Sequence, residues 1–146
     1  MLRSMETAIR RDPRGQGDQG EASAVDWLVS IDADVFVPLG NSRDVDLMAI
    51  IDRQALRVQV KTTTRRYNRN WAVAVCTRGG NQSWNGTVKY LDASAYDRLF
   101  VLVADGRRWF IPSNEIVART CIVVGGPKYS EYEIEPGRAI RPPVHR

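Results

Sequence analysis

The sequence is poor in the residues that build disulfide frameworks and zinc sites. Its 146 residues include two cysteines and one histidine. Cys76 and Cys121 both lie in apolar, strand-like runs, so we predict that they are reduced residues of the core. His145 lies in the C-terminal tail. A zinc site made of cysteine and histidine ligands therefore cannot be assembled from this composition.

Long hydrophobic runs are also missing. No apolar stretch reaches the length of a membrane span, and residues 1–6 lack the apolar centre of a signal peptide. The sequence therefore predicts an intracellular, cytoplasmic protein. Its length suits one domain with a substantial core, which we place at residues 16–135. Residues 1–15 are predicted to form a flexible arm or a short helix, and residues 136–146 a loose, basic, proline-containing tail.

Acidic residues are absent from a long central interval. Between Asp52 and Asp92 there is no aspartate or glutamate, whereas acids cluster just before it, at Asp32, Asp34, Asp44 and Asp46. The interval is rich in lysine and arginine instead, at Arg53, Arg57, Lys61, Arg65, Arg66, Arg69, Arg78 and Lys89. A basic region beside an acidic focus is typical of a polyanion held against a metal site. The alternative is the solvated face of a basic domain.

Two strand-like runs, residues 43–51 and 55–62, predict a β-hairpin with its turn at residues 52–54. A two-residue turn at Arg53 and Gln54 would make paired residue numbers sum to 107, which places Asp46 opposite Lys61 and Met48 opposite Gln59. A loop with an odd number of residues would shift this register. If the loop has an even number of residues, the Asp46 carboxylate, the Gln59 amide and the Lys61 ammonium group share one face of the sheet.

These three groups suit a metal-assisted reaction. Carboxylate and amide oxygens can hold a hard divalent cation, and a lysine beside them can position or deprotonate a water or stabilise charge on a phosphate. The alternative is an exposed cross-strand pair of Asp46 and Lys61, worth ~0.2–1 kcal/mol.

A helix is predicted from Asp18, because Ala24, Val25, Leu28 and Ile31 recur at steps of three and four residues. Glu21 would then fall on the apolar side of the helix, where a carboxylate needs a partner. The competing interpretation is local, with Asp18 and Glu21 forming a capping box at the start of the helix.

The remaining elements are predicted to be mostly strands with short helices between them. Strands are expected at residues 34–39, 71–77, 99–103, 108–111 and 121–124, and short helices at residues 92–96 and 112–116. Residues 63–70 are expected to form a basic loop, in which Arg65, Arg66, Tyr67 and Arg69 would contact nucleic acid, together with Arg78 and Lys89. This order predicts an α+β, or mixed α/β, domain with a central mixed sheet and the Glu21 helix packed on it.

The sequence resembles the PD-(D/E)xK nuclease superfamily. The resemblance rests on Gly17–Glu21 opening a helix, on Val45–Leu47 in one strand, and on Val58–Thr62 (VQVKT) in the next. Within this superfamily, the sequence resembles the branch that has glutamine in place of the second acid, which includes group I intron-encoded homing endonucleases. Residues 96–103 and 110–112 also resemble that branch. Val45 departs from the motif, which has proline at this position.

The resemblance implies a restriction-endonuclease-like core and assigns roles to four residues. Asp46 would be the principal metal ligand, Gln59 would replace the second acid, Lys61 would be the catalytic lysine, and Glu21 would complete the metal environment. Mg²⁺ or Mn²⁺ would be the cofactor, and DNA the substrate of an endonuclease of the homing, restriction, repair or junction-resolving type. The alternative is a nucleic-acid-binding module of this fold without catalytic activity. Cutting both strands with one motif set predicts a homodimer or homotetramer.

Overall fold

The computed structural model describes residues 13–40, 44–78, 88–90 and 92–142. Its centre is a six-stranded sheet in the order β1-β2-β3-β8-β9-β11. These strands are β1 (Asp34–Phe36), β2 (Leu47–Ile51), β3 (Gln54–Thr63), β8 (Arg98–Val103), β9 (Arg108–Pro112) and β11 (Glu133–Ile134). The β3 and β8 strands pair in parallel, and the other neighbours are antiparallel. The prediction of an α+β domain with a central mixed sheet is therefore confirmed.

The helix α1 (Pro13–Ser30) packs on one face of this sheet. Proline suits the first turn of a helix, because the amide hydrogen that it lacks would have no partner there. Ala24, Trp27 and Leu28 of α1 are buried against β2, β3 and β8, in a cluster that includes Leu47. The helix ends in a Schellman motif, in which Asp32 has a φ of 61° and the Ala33 amide donates to the Leu28 carbonyl at 3.0 Å.

A second, three-stranded sheet covers part of the opposite face. It has the order β10-β5-β4, with β4 (Arg66–Tyr67), β5 (Asn70–Ala74) and β10 (Cys121–Val124). The larger core cluster joins the two sheets, and its members from β5, β8, β9 and β10 include Val73, Val101, Trp109 and Ile122. A separate two-stranded ribbon is formed by β6 (Cys76–Arg78) and β7 (Val88–Tyr90). Two 3₁₀ turns, at Ser113–Glu115 and Ser130–Tyr132, complete the described elements.

The central hairpin has a different register from the predicted one. Ile51 pairs with Gln54 and Leu47 with Val58, so paired numbers sum to 105 rather than 107. The two turn residues are Asp52 and Arg53, with φ values of 50° and 68°, as in a type I′ turn. Because the register moves by two residues, every side chain keeps its predicted face of the sheet.

Several local predictions were wrong. Residues 92–96 form a turn rather than a helix, since the Asp92 carboxylate accepts hydrogen bonds from the amide and hydroxyl of Ser94. The strand expected at residues 71–77 is divided between β5 and β6. Cys121 is exposed and Cys76 is partly buried, because Cys121 lies on the outward side of β10 while Ile122 points into the core. Both cysteines are free thiols.

The two ends of the predicted domain also differ from expectation. The helix begins at Pro13, and residues 1–12 lie outside the described part of the chain. Residues 136–142, expected to be loose, are bonded to the fold. The Gly137 amide donates to the Gly106 carbonyl at 2.8 Å, and the Arg141 amide donates to the Gln19 side chain at 2.7 Å. The rest of that tail, residues 143–146, is outside the described residues.

Candidate functional site

Asp46 lies immediately before β2 and is bonded to β3 on both sides of Gln59. Its amide donates at 2.9 Å to the carbonyl of Val58, the residue that pairs with Leu47. Its carboxylate oxygen Oδ2 accepts a hydrogen bond from the Val60 amide at 2.7 Å. These two bonds fix the orientation of the carboxylate at the point where β2 begins.

Gln59 carries a buried acceptor without a hydrogen-bond donor. The side chain is 8% exposed, and its Oε1 atom has no hydrogen-bond partner in the described structure. The residue pairs with Leu99 of β8, and its side chain lies on the sheet face that carries the inter-sheet core. A buried amide oxygen without a hydrogen-bond donor is energetically costly, so this position suits a bound cation that takes oxygen ligands.

The Asp46 carboxylate interacts electrostatically with Lys61 and with Glu21. Burial raises the pKa of Asp46, while the Val60 amide and the positive charge of Lys61 oppose that rise. The pKa of Glu21 is also raised, first by loss of hydration and then by the negative charges of Asp46 and Asp18. The structure therefore brings two carboxylates and an ammonium group into one electrostatic neighbourhood, in which both carboxylates resist ionisation.

Glu21 and Asp46 line the same pocket. It has a volume of about 240 Å³, and the rest of its wall comes from the connection after β1 and from the residue before Asp46: Val37, Pro38, Leu39, Gly40 and Val45. Sequence reasoning missed this wall, because residues 37–40 were predicted only as the end of a strand and a turn. It also missed the influence of Asp18, although Asp18 and Glu21 are three residues apart and so lie on neighbouring turns of one helix.

The helix lies very close to the strand that carries Lys61. A Cβ atom on Gly20 would come within 2.4 Å of the Thr62 Cγ2 atom and 3.0 Å of the Val60 Cγ1 atom. One turn earlier, the Gln16 side-chain amide donates to the Thr62 hydroxyl at 3.0 Å. The absence of a side chain at Gly20 thus sets the distance between α1 and β3 beside Glu21.

Both sequence-based interpretations of Glu21 need correction. The side chain is exposed rather than core-facing, because Gly20, Ala24 and Leu28 form the buried stripe of α1. The capping box is also wrong, since the helix starts five residues before Asp18. Glu21 instead sits on the flank of the helix, where it faces the pocket that it shares with Asp46.

The donor set suits a hard divalent cation. Within the described ranges, no group of three or more histidine, cysteine, aspartate or glutamate side chains is arranged to hold a metal. Glu21 and Asp46 line one pocket, and Gln59 is not among the residues that line it. Their two carboxylates and the Gln59 amide are oxygen ligands of the types that Mg²⁺ and Mn²⁺ accept. The unpartnered Oε1 atom of buried Gln59 is the observation that fits such an ion.

The predicted basic loop is a small hairpin. The β4 and β5 strands are joined by Asn68 and Arg69, and Asn68 has a φ of 52°. Arg65, Arg66, Tyr67 and Arg69 are all exposed. The Arg66 guanidinium lies 3.7 Å from the centre of the Trp71 ring and donates to the Arg69 carbonyl at 3.1 Å, so it is partly fixed by the hairpin itself.

The other two predicted nucleic-acid contacts, Arg78 and Lys89, belong to the ribbon of β6 and β7. Their side chains lie outside the described part of the structure. A larger cavity, of about 350 Å³, lies between α1 and residues 138–141, with Leu102 among its lining residues. It includes none of the residues predicted for the site and lies on the flank of α1 away from Glu21.

Comparisons with known proteins identify the family and the fold. The family described as PD-(D/E)XK endonuclease matches residues 11–133, which contain all four predicted site residues. Among solved structures, the fold resembles the bacterial homing endonuclease I-Ssp6803I with a TM-score of 0.73 and 18% sequence identity, covering 84% of this chain and 89% of that chain. No curated protein matches the sequence. At this identity the structural likeness concerns the fold, whereas the family match covers most of the chain: this protein belongs to the PD-(D/E)XK endonuclease family.

Proposed function

We propose that this protein is a divalent-metal-dependent DNA endonuclease whose site consists of Glu21, Asp46, Gln59 and Lys61. The observation that carries the proposal is the setting of Asp46. Its carboxylate is held by the Val60 amide, lies in the fields of Glu21 and Lys61, and is bonded across Gln59, whose buried Oε1 atom lacks a donor. The homing endonuclease fold and the family membership support this reading.

The metal would be held by Asp46 first, with Gln59 and Glu21 completing the oxygen ligands. When bound, Mg²⁺ or Mn²⁺ supplies charge compensation for the phosphate and lowers the pKa of a water. The protein's own residues prepare this step. The Val60 amide keeps the Asp46 carboxylate oriented, and Gln59 contributes an oxygen without adding a third negative charge.

Lys61 acts from the same strand as Gln59, two residues further along. Its ammonium group would hold the attacking water or stabilise the extra charge on the phosphate, as lysine does in general acid–base and electrostatic catalysis. The positive charge of Lys61 opposes the rise in the pKa of Asp46, so Lys61 and Asp46 are close enough to interact.

The basic hairpin of β4 and β5 would bind the phosphates that flank the cut. It leaves β3 directly after Thr63, and Arg65, Arg66 and Arg69 are exposed together with Tyr67. Arg78 and Lys89 remain proposed contacts on the neighbouring ribbon. We also propose that a homodimer or homotetramer makes the double-strand cut, because one motif set cuts one strand at a time.

The experiment compares Asp46→Asn with Asp52→Asn on supercoiled, linear and branched DNA, with Mg²⁺ or with chelator. Asp52 is the matched control, because it is exposed at the opposite end of β2 and asparagine tolerates its positive φ. We expect the wild type and Asp52→Asn to cut only with metal, and Asp46→Asn and Lys61→Ala to be inactive but folded. Cleavage in chelator or by Asp46→Asn would refute the proposal. DNA binding without any cleavage by the wild type would support the non-catalytic binding module instead.

A further inference from the structure

The pocket that holds Glu21 and Asp46 has an apolar rim. Val37, Pro38 and Leu39 follow β1 and line this pocket. Leu39 has a relative exposure of 110%, the highest among the large hydrophobic residues that the structure describes, and Val37 is 63% exposed. An exposed apolar segment that borders a charged pocket is well placed to pack against a partner that enters the pocket with the substrate.

We propose that Leu39 is a substrate-contacting residue, which packs against the sugars and base edges of DNA next to the scissile phosphate. This inference rests on the proposed nuclease function. A phosphate that reaches Asp46 must bring its two flanking nucleotides close to the residues that border the same pocket, and Leu39 is one of them. Aliphatic side chains cannot donate to phosphate oxygens, but they pack on deoxyribose and on exposed base surfaces.

The Leu39 contact differs physically from the contacts proposed for the basic hairpin. Phosphate contacts by Arg65 and Arg66 release counterions, so they make affinity depend on salt. An apolar contact contributes affinity without releasing counterions, so its loss should leave the salt dependence unchanged. Pro38 favours this role, since its restricted φ lowers the entropy lost when the segment is fixed on DNA.

The test uses Leu39→Ala, the conservative variant Leu39→Met, and the matched control Val117→Ala. Val117 is 80% exposed, like Leu39 an aliphatic side chain outside a helix or strand, and it does not line the pocket. Binding to a fluorescein-labelled duplex of mixed sequence is measured by anisotropy in chelator at several salt concentrations. Cleavage of the same duplex is measured with Mg²⁺, and sedimentation gives the oligomeric state of each variant.

We expect Leu39→Ala to bind about tenfold more weakly, which is the effect of removing most of a buried aliphatic side chain. The log–log salt slope should not change, Leu39→Met should stay close to wild type, and Val117→Ala should match wild type. KM should rise more than kcat falls, because the contact exists both before and during the reaction.

Three results would overturn the inference while leaving the nuclease function intact. Wild-type affinity in Leu39→Ala would show that the rim does not touch DNA. A shallower salt slope would show that the effect is electrostatic. A change of oligomeric state in Leu39→Ala would assign the rim to a second copy of the chain. A wild-type protein that neither binds nor cuts DNA would instead overturn the proposed function, and the inference with it.

Discussion

Replacing Gly20 by alanine should separate α1 from β3, the strand that carries Gln59 and Lys61. The new Cβ atom would lie 2.4 Å from the Thr62 Cγ2 atom and 3.0 Å from the Val60 Cγ1 atom. Thr62 cannot simply rotate away, because its χ1 angle is restricted and its hydroxyl accepts the Gln16 hydrogen bond. The remaining response is a displacement of α1, which also carries Glu21.

The magnitude follows from two opposing effects. Alanine is favoured over glycine inside a helix by ~0.5–1 kcal/mol. Overpacking of a close contact costs about 1–3 kcal/mol. Gly17 provides the matched control, since it lies in the same helix and a Cβ atom there meets nothing within 4 Å. Gly17→Ala should therefore stabilise the protein, and Gly20→Ala should be less stable than Gly17→Ala by about 2 kcal/mol.

Urea denaturation followed by tryptophan fluorescence gives the free energies of unfolding. A common m value for the two variants would show that the denatured states are comparable. We also expect Gly20→Ala to lose cleavage activity beyond its loss of stability, because a shift of Glu21 by about 1 Å can cost on the order of 100-fold. If Gly20→Ala is as stable and as active as Gly17→Ala, the close approach of α1 to β3 does not position the site.

Further predictions concern charge and assembly. Asp46→Asn should stabilise the metal-free protein at neutral pH, because the folded-state pKa of Asp46 is raised and its ionised form therefore opposes folding. In thermal scans, this gain in stability should shrink as the pH falls through the folded-state pKa. A gain that grows on acidification would contradict the prediction. Arg65→Ala with Arg66→Ala should weaken binding to all DNA sequences similarly and reduce the log–log salt slope by ~2, with an unchanged cleavage position; an unchanged slope in binding isotherms would mean that the hairpin faces away from DNA. Arg108→Met should lower the free energy of unfolding by about 3 kcal/mol in urea titrations, because the buried guanidinium donates hydrogen bonds to Ser23, Asp26 and the Glu135 carbonyl. A variant as stable as wild type would show that water replaces these hydrogen bonds. Sedimentation with DNA bound should show a dimer or larger assembly, and a monomer at micromolar concentration would contradict it.

The β2–β3 hairpin was largely predictable from the sequence, because the face of a strand on which a side chain lies depends only on whether its residue number is odd or even. The true turn at Asp52 and Arg53 moved the register by two, and Gln59 and Lys61 stayed on the predicted face. The turn itself was missed because both residues have positive φ, which is uncommon for a residue such as arginine. The order of Glu21, Asp46, Gln59 and Lys61 along the chain suggested the family, and the match over residues 11–133 confirms the family.

The helix and the basic segment were harder to read, because tertiary packing overrode the local patterns. Ile31 continues the apolar spacing of α1, yet it lies after the helix and is 39% exposed. Gly20 carries no hydrophobic signal, but it lies so close to β3 that a Cβ atom there would meet the Thr62 side chain. Similarly, the composition of residues 63–70 did not predict that Asn68 would adopt a left-handed conformation and close a hairpin.

The parallel pairing of β3 with β8 has a consequence for the order of folding. Lys61 pairs with Val101, and Phe100 and Leu102 supply part of the core beneath α1. The site residues all precede residue 62, but their strand has no inner neighbour until β8 has been synthesised. A growing chain on the ribosome can form the β2–β3 hairpin early, yet a lone hairpin is only marginally stable in water. The arrangement of Asp46 and Lys61 should therefore become rigid only after about two thirds of the chain has emerged, so that an incomplete polypeptide carries the site residues without holding them in place.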